Sequence, residues 1–540
     1  MTILRKFIYL YLIWSSMILV LLLSKQLTSF ILPFICSLTT IFLLLLPLMK
    51  KNNYFLYSVL ILCSIFLGVD IAALYHTDHL LSSIILTNIT EISSVDNSIV
   101  YSTIAIILIF LIPIFCINKN KNLYISKLIY LLIIPIGVYY YISPIKPITA
   151  FCKTLNYYMQ QKLFDSDYNI IQMQRKIYGK SMVYETTYNQ SVPDLTNKNI
   201  ITIFTEGFSA EIIDKFNQYQ SLTPYVSELL TKGLYFKNYF NHTAATYRGL
   251  RGQLSSSYQY TNGENALFIA KEDKNELNKP FKDGIITLPE ILQKHGYHTY
   301  FLSAHEKSER LNTYLLTLGF ERVFTASDFQ SDKDLTDREL FENLNNLIKS
   351  KELKEPYFIG VYNIGTHFGT ISPDLVYEYN NTNNEILNIF HNFDYQFGQF
   401  FKNLQKDVLL RKKTALILTA DHAAFFDKNY VETFNDNRNI FMGKIPFILY
   451  YDGIEPRIID VNGRNSLDFT PTLLHMLRIQ KAYNYFLGCS IFDSNCTSQF
   501  QYIFNHDDIY YHTNYGKLNS QSPIVKLIEN YYHLSENLNK

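Results

Sequence analysis

The chain has 540 residues, which on length alone predicts more than one domain. Its net charge of +1 excludes the broad electrostatic attraction that nucleic-acid binding needs, so no nucleic-acid partner is expected. Mean hydropathy is +0.00, an average over two unlike parts: nearly all long apolar runs precede residue 145, and the remainder has ordinary soluble composition.

Five stretches, residues 7–23, 28–49, 54–75, 99–117 and 123–142, are long and apolar enough to cross a bilayer. The basic start Arg5-Lys6 would suit a signal peptide. A second apolar stretch follows almost at once, however, with no small-residue cleavage site, which predicts an uncleaved span. Arg5, Lys6, Lys50, Lys51, Lys119 and Lys121 mark one side of the membrane, with Lys25 the lone exception. The loop before span four carries Asp78, Glu91 and Asp96 but no Lys or Arg. Positive-inside logic then places the N-terminus in the cytoplasm and everything after span five outside. A transporter is disfavoured, since Asp70 is the one clear acidic residue in the spans and no two-part repeat is visible.

The expected organisation is a transmembrane domain over 1–143, an amphipathic connector over 144–193, an extracytoplasmic domain over 194–515 and a tail over 516–540. In the connector Leu155, Tyr158, Met159 and Leu163 share one helical face, suited to a membrane surface. Beyond it, short apolar strands alternate with helical stretches. Strands are expected over 200–205, 299–303, 357–363, 415–419 and 446–451, and helices over 210–216, 287–295, 385–405 and 468–477. That alternation predicts an α/β domain with a mainly parallel central sheet. Outside the cell, Cys489 and Cys496 suit a local disulfide, with buried free thiols as the alternative.

Two strand ends carry ionisable side chains. The run Ile200-Ile-Thr-Ile-Phe-Thr leads into Glu206, with Ser209 placed to cap the following helix. In open α/β sheets the carboxyl edge of the strands is where ligands bind, although a lone Glu206 equally suits a solvated loop. Leu416-Ile-Leu-Thr-Ala leads in the same way into Asp421-His422. Hard and borderline ligands delivered to one sheet edge suit Zn²⁺ or Mn²⁺. A third stretch, His242-Thr-Ala-Ala-Thr246-Tyr-Arg-Gly-Leu-Arg-Gly-Gln-Leu-Ser255, places a hydroxyl before a helix. There it would serve either as an activated nucleophile or only as an N-cap, and Thr243 and Thr246 are both candidates.

Taken together, Glu206, Thr246, Asp421 and His422 resemble the alkaline phosphatase/sulfatase superfamily. Within it they resemble the membrane-anchored phosphoethanolamine transferases that modify lipid A and, in part, lipoteichoic acid synthase. The resemblance extends to span count, length, motif order, Thr223-Pro-Tyr-Val, Leu288-Pro-Glu-Ile-Leu, Gly365-Thr-His367 and Ser466-Leu-Asp-Phe-Thr-Pro-Thr-Leu-Leu474, the last with a structural role. It implies Thr246, rather than Thr243, as nucleophile and metal ligand beside Glu206, Asp421 and His422. It implies Zn²⁺, or Mn²⁺, as cofactor. His367 would bind the transferred phosphate or a second zinc, Thr87 and Glu91 the lipid donor, and His305 and Arg310 a phosphate. The implied reaction moves phosphoethanolamine from phosphatidylethanolamine to lipopolysaccharide or another envelope glycan. The implied location is the bacterial inner membrane, among its lipids, with a periplasmic catalytic domain. The chain also departs from the pattern. His242 and Gly252 stand where the lipid A enzymes carry cysteines, and Ala423-Ala-Phe-Phe follows Asp421-His422 where they continue Gly-Glu-Ser. The segment His305 to Arg310 is closer to lipoteichoic acid synthase, which makes phosphoglycerol transfer the alternative. A sulfatase is disfavoured, because no cysteine lies near Thr246 and no Cys/Ser-x-Pro-x-Arg motif exists.

Overall fold

The computed structural model describes residues 2–25, 27–45, 53–77, 80–81, 97–115, 147–152, 183–185, 192–243, 246–256, 287–306, 310–367, 379–436, 443–483, 486, 488–493, 502–505, 509–512 and 516–517. The chain divides into two compact units, Met1–Leu163 and Phe164–Lys540. The expected fifth span, most of the connector with its face of Leu155, Tyr158, Met159 and Leu163, and Thr87 and Glu91 lie outside the described residues.

The first unit contains α1 (Thr2–Ser24), α2 (Thr28–Leu45), α3 (Asn53–Thr77) and α4 (Asn97–Phe115). They correspond to the first four expected spans. Among the described residues one stretch, Tyr57–His76, is long and apolar enough to cross a membrane, and the other three helices carry shorter apolar runs. Trp14 packs edge-on against Phe42 and donates its indole N–H to the Phe110 carbonyl at 3.0 Å. The opposite surfaces leave Leu12, Val20, Leu62, Leu108 and Ile112 exposed.

The second unit is built on an eight-stranded sheet: β1 (Asn199–Thr205), β2 (Leu234–Lys237), β3 (His298–Ser303), β4 (Arg322–Phe324), β5 (Tyr357–Tyr362), β6 (Thr414–Ala420), β7 (Phe447–Tyr451) and β8 (Arg457–Asp460). Its spatial order is β4-β3-β5-β1-β6-β7-β2-β8. The first five strands in that order are parallel, β7 runs against both β6 and β2, and β2 and β8 are parallel to each other. Full burial explains why β1, β5 and β6 read as continuous apolar runs rather than alternating ones. Register decides what meets at the carboxyl edge. Thr205 pairs with Ala420, and Phe204 pairs with both Thr419 and Tyr362. Glu206, Asp421 and Asn363 therefore leave adjacent strands together.

Helices pack on this sheet through periodic apolar faces. In α10 (Glu385–Lys406), Phe390, Phe393, Phe397, Phe401 and Leu404 recur at helical spacing and are buried. The helices between are α5 (Pro224–Lys232), α6 (Thr246–Ser255), α7 (Leu288–Lys294), α8 (Arg310–Thr317) and α9 (Asp337–Lys349). Phe208, just past Glu206, sits against Phe390 and Phe393. Truncating a buried phenylalanine costs about 3–5 kcal/mol, so this contact anchors the loop firmly. Asp394 on α10 accepts the N–H groups of Tyr225 and Val226, satisfying the free donors at the start of α5.

The segment after Ser209 is not the single helix expected over 210–216. It forms two 3₁₀ turns, Ala210–Ile212 and Asp214–Phe216, interrupted where Ile213 is extended. The Ser209 hydroxyl does not cap them, and instead accepts the Ala424 N–H at 2.9 Å. Near the far end of the unit Cys489 is disulfide-bonded, while Cys496 lies outside the described residues.

Candidate metal centre and active site

Three buried side chains converge past the ends of β1 and β6. Donor atoms of Glu206, Asp421 and His422 lie within 4.8 Å of one another. His422 Nε2 is 3.4 Å from Glu206 Oε1 and 3.4 Å from Asp421 Oδ2. The backbone fixes each of them. Gly207, at φ +53°, turns the chain after Glu206, and its N–H donates to Asp421 Oδ1 at 3.0 Å. The His422 N–H donates to the same oxygen at 2.7 Å. His422 Nδ1 donates to the Ala423 carbonyl at 2.8 Å, which turns Nε2 toward the carboxylates.

The electrostatics of this cluster are in conflict. Burial alone would raise Glu206, but the neighbouring His422 and His367 outweigh it and press its pKa down to about 2. Asp421 goes the other way, pushed well above the carboxylate range by burial and by the charge of Glu206. Asp421 Oδ2 is buried and accepts no hydrogen bond. Two buried carboxylates with one inward-facing imidazole nitrogen and an orphaned oxygen fit a divalent cation, which would relieve the repulsion. Nothing in this donor set selects one metal.

Thr246 opens α6 and is buried. Its Oγ1 donates to Glu206 Oε2 at 3.0 Å. The helix comes this close because residue 249 is glycine: a Cβ there would lie 2.2 Å from the Asp421 carbonyl oxygen. Gln253 Nε2 donates to the Ala420 carbonyl at 2.9 Å, pinning α6 to the end of β6. Behind it, the expected structural segment provides Thr470 Oγ1, which donates to the Gln253 carbonyl at 2.6 Å. The departure at His242 and Gly252 also becomes intelligible. The two residues are in contact, the imidazole filling the space that a Cβ on Gly252 would need. His242 Nδ1 lies 2.6 Å from Ser466 Oγ, and burial holds its pKa down to about 3, so it is neutral packing.

The remaining expected site residues are placed as follows. His367 is buried on the loop after β5, near enough for its charge to act on Glu206 and Asp334. His305 is buried past the end of β3, with Nδ1 3.5 Å from Asp334 and its ring 5.8 Å from that of Tyr362. Arg310 opens α8. Thr243 is buried two residues after Asn241, which binds its carbonyl, and has no contact with Glu206 comparable to that of Thr246. Three residues given no site role from sequence complete the cluster. Asn363 Oδ1 accepts the Glu206 N–H at 2.9 Å, and Thr366 Oγ1 donates to the Glu206 carbonyl at 2.6 Å. Tyr362 donates its phenolic hydrogen to Glu206 Oε2. Tyr362 and Asn363 end the strand run over 357–363, and Thr366 is the middle residue of the Gly365-Thr-His367 motif.

Comparison with known proteins agrees with this architecture. A family model described as Sulfatase matches residues 198–479. The chain is 22% identical over 310 residues to the lipoteichoic acid synthase-like protein YvgJ of Bacillus subtilis (strain 168), covering 52% of this chain and 48% of that protein. It is 25% identical over 325 residues to lipoteichoic acid synthase 1 of the same organism, covering 55% and 48%. The chain thus spans about half the length of the curated relatives it matches. Among solved structures, the lipooligosaccharide phosphoethanolamine transferase A (EptA) of Neisseria meningitidis has the same fold at TM-score 0.55 and 10% identity, covering 89% of this chain and 96% of that one. The lipoteichoic acid synthase LtaP of Listeria monocytogenes follows at TM-score 0.51 and 17% identity, covering 68% and 98%. The matched family segment runs from the first strand of the sheet through Thr246, Asp421-His422 and the Ser466–Leu474 stretch, and the chain belongs to the sulfatase family of the alkaline phosphatase superfamily.

Proposed function

We propose that the chain is a metal-dependent transferase that moves the phosphorylated head group of a membrane phospholipid onto an envelope glycan, through a phospho-threonine on Thr246. The observation that carries this reading is the Thr246 hydroxyl bonded to Glu206 Oε2 beside a buried Glu-Asp-His cluster. Glu206, Asp421, His422 and Thr246 would hold the cation, Zn²⁺ or Mn²⁺, which when bound supplies positive charge for the nucleophile and the transferred phosphoryl oxygens. Glu206, with its pKa near 2, orients the Thr246 hydroxyl rather than keeping its proton. Thr246 Oγ1 bonds to the donor phosphorus, the bond from phosphorus to the diacylglycerol oxygen breaks, and the proton ends on that oxygen. An acceptor hydroxyl then takes the phosphoryl group and Thr246 regains a proton. His367, His305 and Arg310 are the candidates for contacting the head group, and Thr87 and Glu91 for contacting the lipid donor.

The transferred group in this reading is phosphoethanolamine, the donor phosphatidylethanolamine, and the acceptor lipopolysaccharide or a comparable glycan. Fold likeness to the neisserial enzyme over most of both chains supports it. Phosphoglycerol transfer is the second reading, favoured by sequence identity to the two Bacillus proteins. Membrane anchorage in the bacterial inner membrane, with the catalytic unit outside, follows from the lipid donor and is supported by Tyr57–His76 and the exposed apolar helix faces. The test is mass spectrometry of the purified full chain after exposure to each phospholipid. A head-group adduct on Thr246, lost in Thr246→Ala together with transfer, is expected; an active Thr246→Ala variant would overturn the mechanism. The adduct's mass separates phosphoethanolamine from phosphoglycerol.

A further inference from the structure

We infer that Tyr362 is a catalytic residue, the donor that holds Glu206 in place and then hydrogen-bonds the Thr246 oxygen as it gains charge. The inference rests on the reading of Thr246 as nucleophile. Tyr362 ends β5 and is almost fully buried, at 1% exposure. Its hydroxyl donates to Glu206 Oε2, the same oxygen that accepts from Thr246, and lies 3.3 Å from Thr246 Oγ1. Three groups thus form a closed triangle: one carboxylate oxygen and two hydroxyls. The pairing of Phe204 with Tyr362 across β1 and β5 fixes the phenol there, and the ring rests against that of His305.

The triangle divides the work of Glu206 between its two oxygens. Oε1 faces His422 Nε2 at 3.4 Å, on the side where a cation fits. Oε2 faces the hydroxyls. Without Tyr362, Oε2 would keep Thr246 as its one hydroxyl donor, so the phenol is a second anchor for the plane of the carboxylate. The same donor acquires a second role during reaction. Once Thr246 Oγ1 is bonded to phosphorus it has no hydrogen to give Glu206, and it must leave phosphorus as an oxyanion when the acceptor attacks. Tyr362 is then a hydroxyl donor already within reach, and swinging its hydrogen from Glu206 Oε2 to Thr246 Oγ1 requires only rotation about the phenolic C–O bond. Preorganised donors aimed at a developing oxyanion are worth far more inside a dry site than in water. Tyr362 keeps its own proton, Thr246 regains one from the attacking acceptor hydroxyl, and no co-reactant is required.

Tyr362→Phe in the full chain is the test, since it removes one hydroxyl and keeps the ring against His305. The expected result is a fall in kcat of about 10²- to 10³-fold, the loss typical of one oxyanion donor, with KM for the lipid donor little changed. Metal content and the thermal midpoint should stay at wild-type values, and the adduct on Thr246 should persist longer after acceptor is added, read by intact-protein mass spectrometry. Tyr362→Leu, which also removes the ring, should lower the thermal midpoint as well, separating packing from chemistry. A Tyr362→Phe variant with wild-type kcat and adduct lifetime overturns the inference. So does one whose activity loss is accounted for by lost metal or lost fold. If instead wild-type protein forms no Thr246 adduct, it is the underlying reading that fails.

Discussion

The two ends of α6 are held by opposite kinds of force. At its start, Thr246 and Gly249 face a cluster whose charges disagree, with Glu206 held ionised and Asp421 pushed toward its neutral form. Toward its end, Gly252 and Gln253 meet neutral partners, namely the His242 ring, the Ala420 carbonyl and Thr470. One end stores electrostatic tension that a cation would release, and the other is satisfied as it stands. A helix fixed at its neutral end delivers its first residue to a charged site with little freedom, which is what preorganisation for phosphoryl transfer requires.

The largest predicted effect comes from removing the tension itself. Asp421→Asn takes away one carboxylate and should abolish stoichiometric metal binding and reduce activity by at least about 10³-fold, since a buried donor set loses a charged ligand. Metal content by elemental analysis and activity by lipid assay would check it. The same groups predict a pH dependence. The raised Asp421 gives the metal-free protein stability that is fully present at low pH and lost as pH rises through its elevated pKa. The depressed Glu206 contributes stability above the ordinary carboxylate range, lost as pH falls toward about 2. A bound cation replaces the Asp421 proton, so metal affinity should rise with pH and the loss on the alkaline side should vanish. Thermal midpoints across pH, with and without chelator, should diverge as pH increases; parallel curves would refute the assignment.

Gly249→Ala attacks the close approach. A Cβ at 2.2 Å from a backbone carbonyl oxygen cannot be accommodated by a side-chain turn, so α6 must move away from Asp421. Overpacking of this kind costs about 1–3 kcal/mol. A shift of about 1 Å at the nucleophile costs about 10²-fold in rate. The variant should therefore keep its metal and its fold but lose most adduct formation, whereas Asp421→Asn loses metal and activity together.

Much of the site was legible in the sequence because its residues directly follow apolar strand runs. Glu206 and Asp421-His422 sit one step beyond β1 and β6, and the five expected strands all exist within two residues of their predicted bounds. The strands not anticipated are short. Arg457–Asp460 lies at a sheet edge with mostly exposed side chains, so burial leaves no apolar signature there. Tyr362 and Asn363 were silent for another reason, and Thr366 showed only as the middle of Gly365-Thr-His367. Their contacts with Glu206 depend on pairing between strands 156 to 160 residues apart, and no local pattern encodes that register. The expected helix over 210–216 failed at Ile213, which is extended, because the Asp214 N–H that an α-helix would direct to the Ala210 carbonyl donates instead to Thr223 Oγ1 at 3.1 Å. A tertiary bond there outweighs the local helical preference.

The neutral end offers the smallest effect and the cleanest contrast. Thr470→Val keeps the shape of the side chain but removes the hydroxyl that donates to the Gln253 carbonyl. That carbonyl belongs to the last turn of α6, where acceptors lack partners within the helix. Leaving it buried without a donor costs about 1–3 kcal/mol, visible as a lowered thermal midpoint of the full chain. Because Gln253 Nε2 still holds Ala420, and Gly249 still meets Asp421, Thr246 should keep its place. Adduct formation and metal content should then stay within about twofold of wild type, a change of under 1 kcal/mol in the barrier. A loss of adduct matching that of Gly249→Ala would mean that the two ends of α6 are mechanically one unit, and that the anchored end is itself part of the machinery.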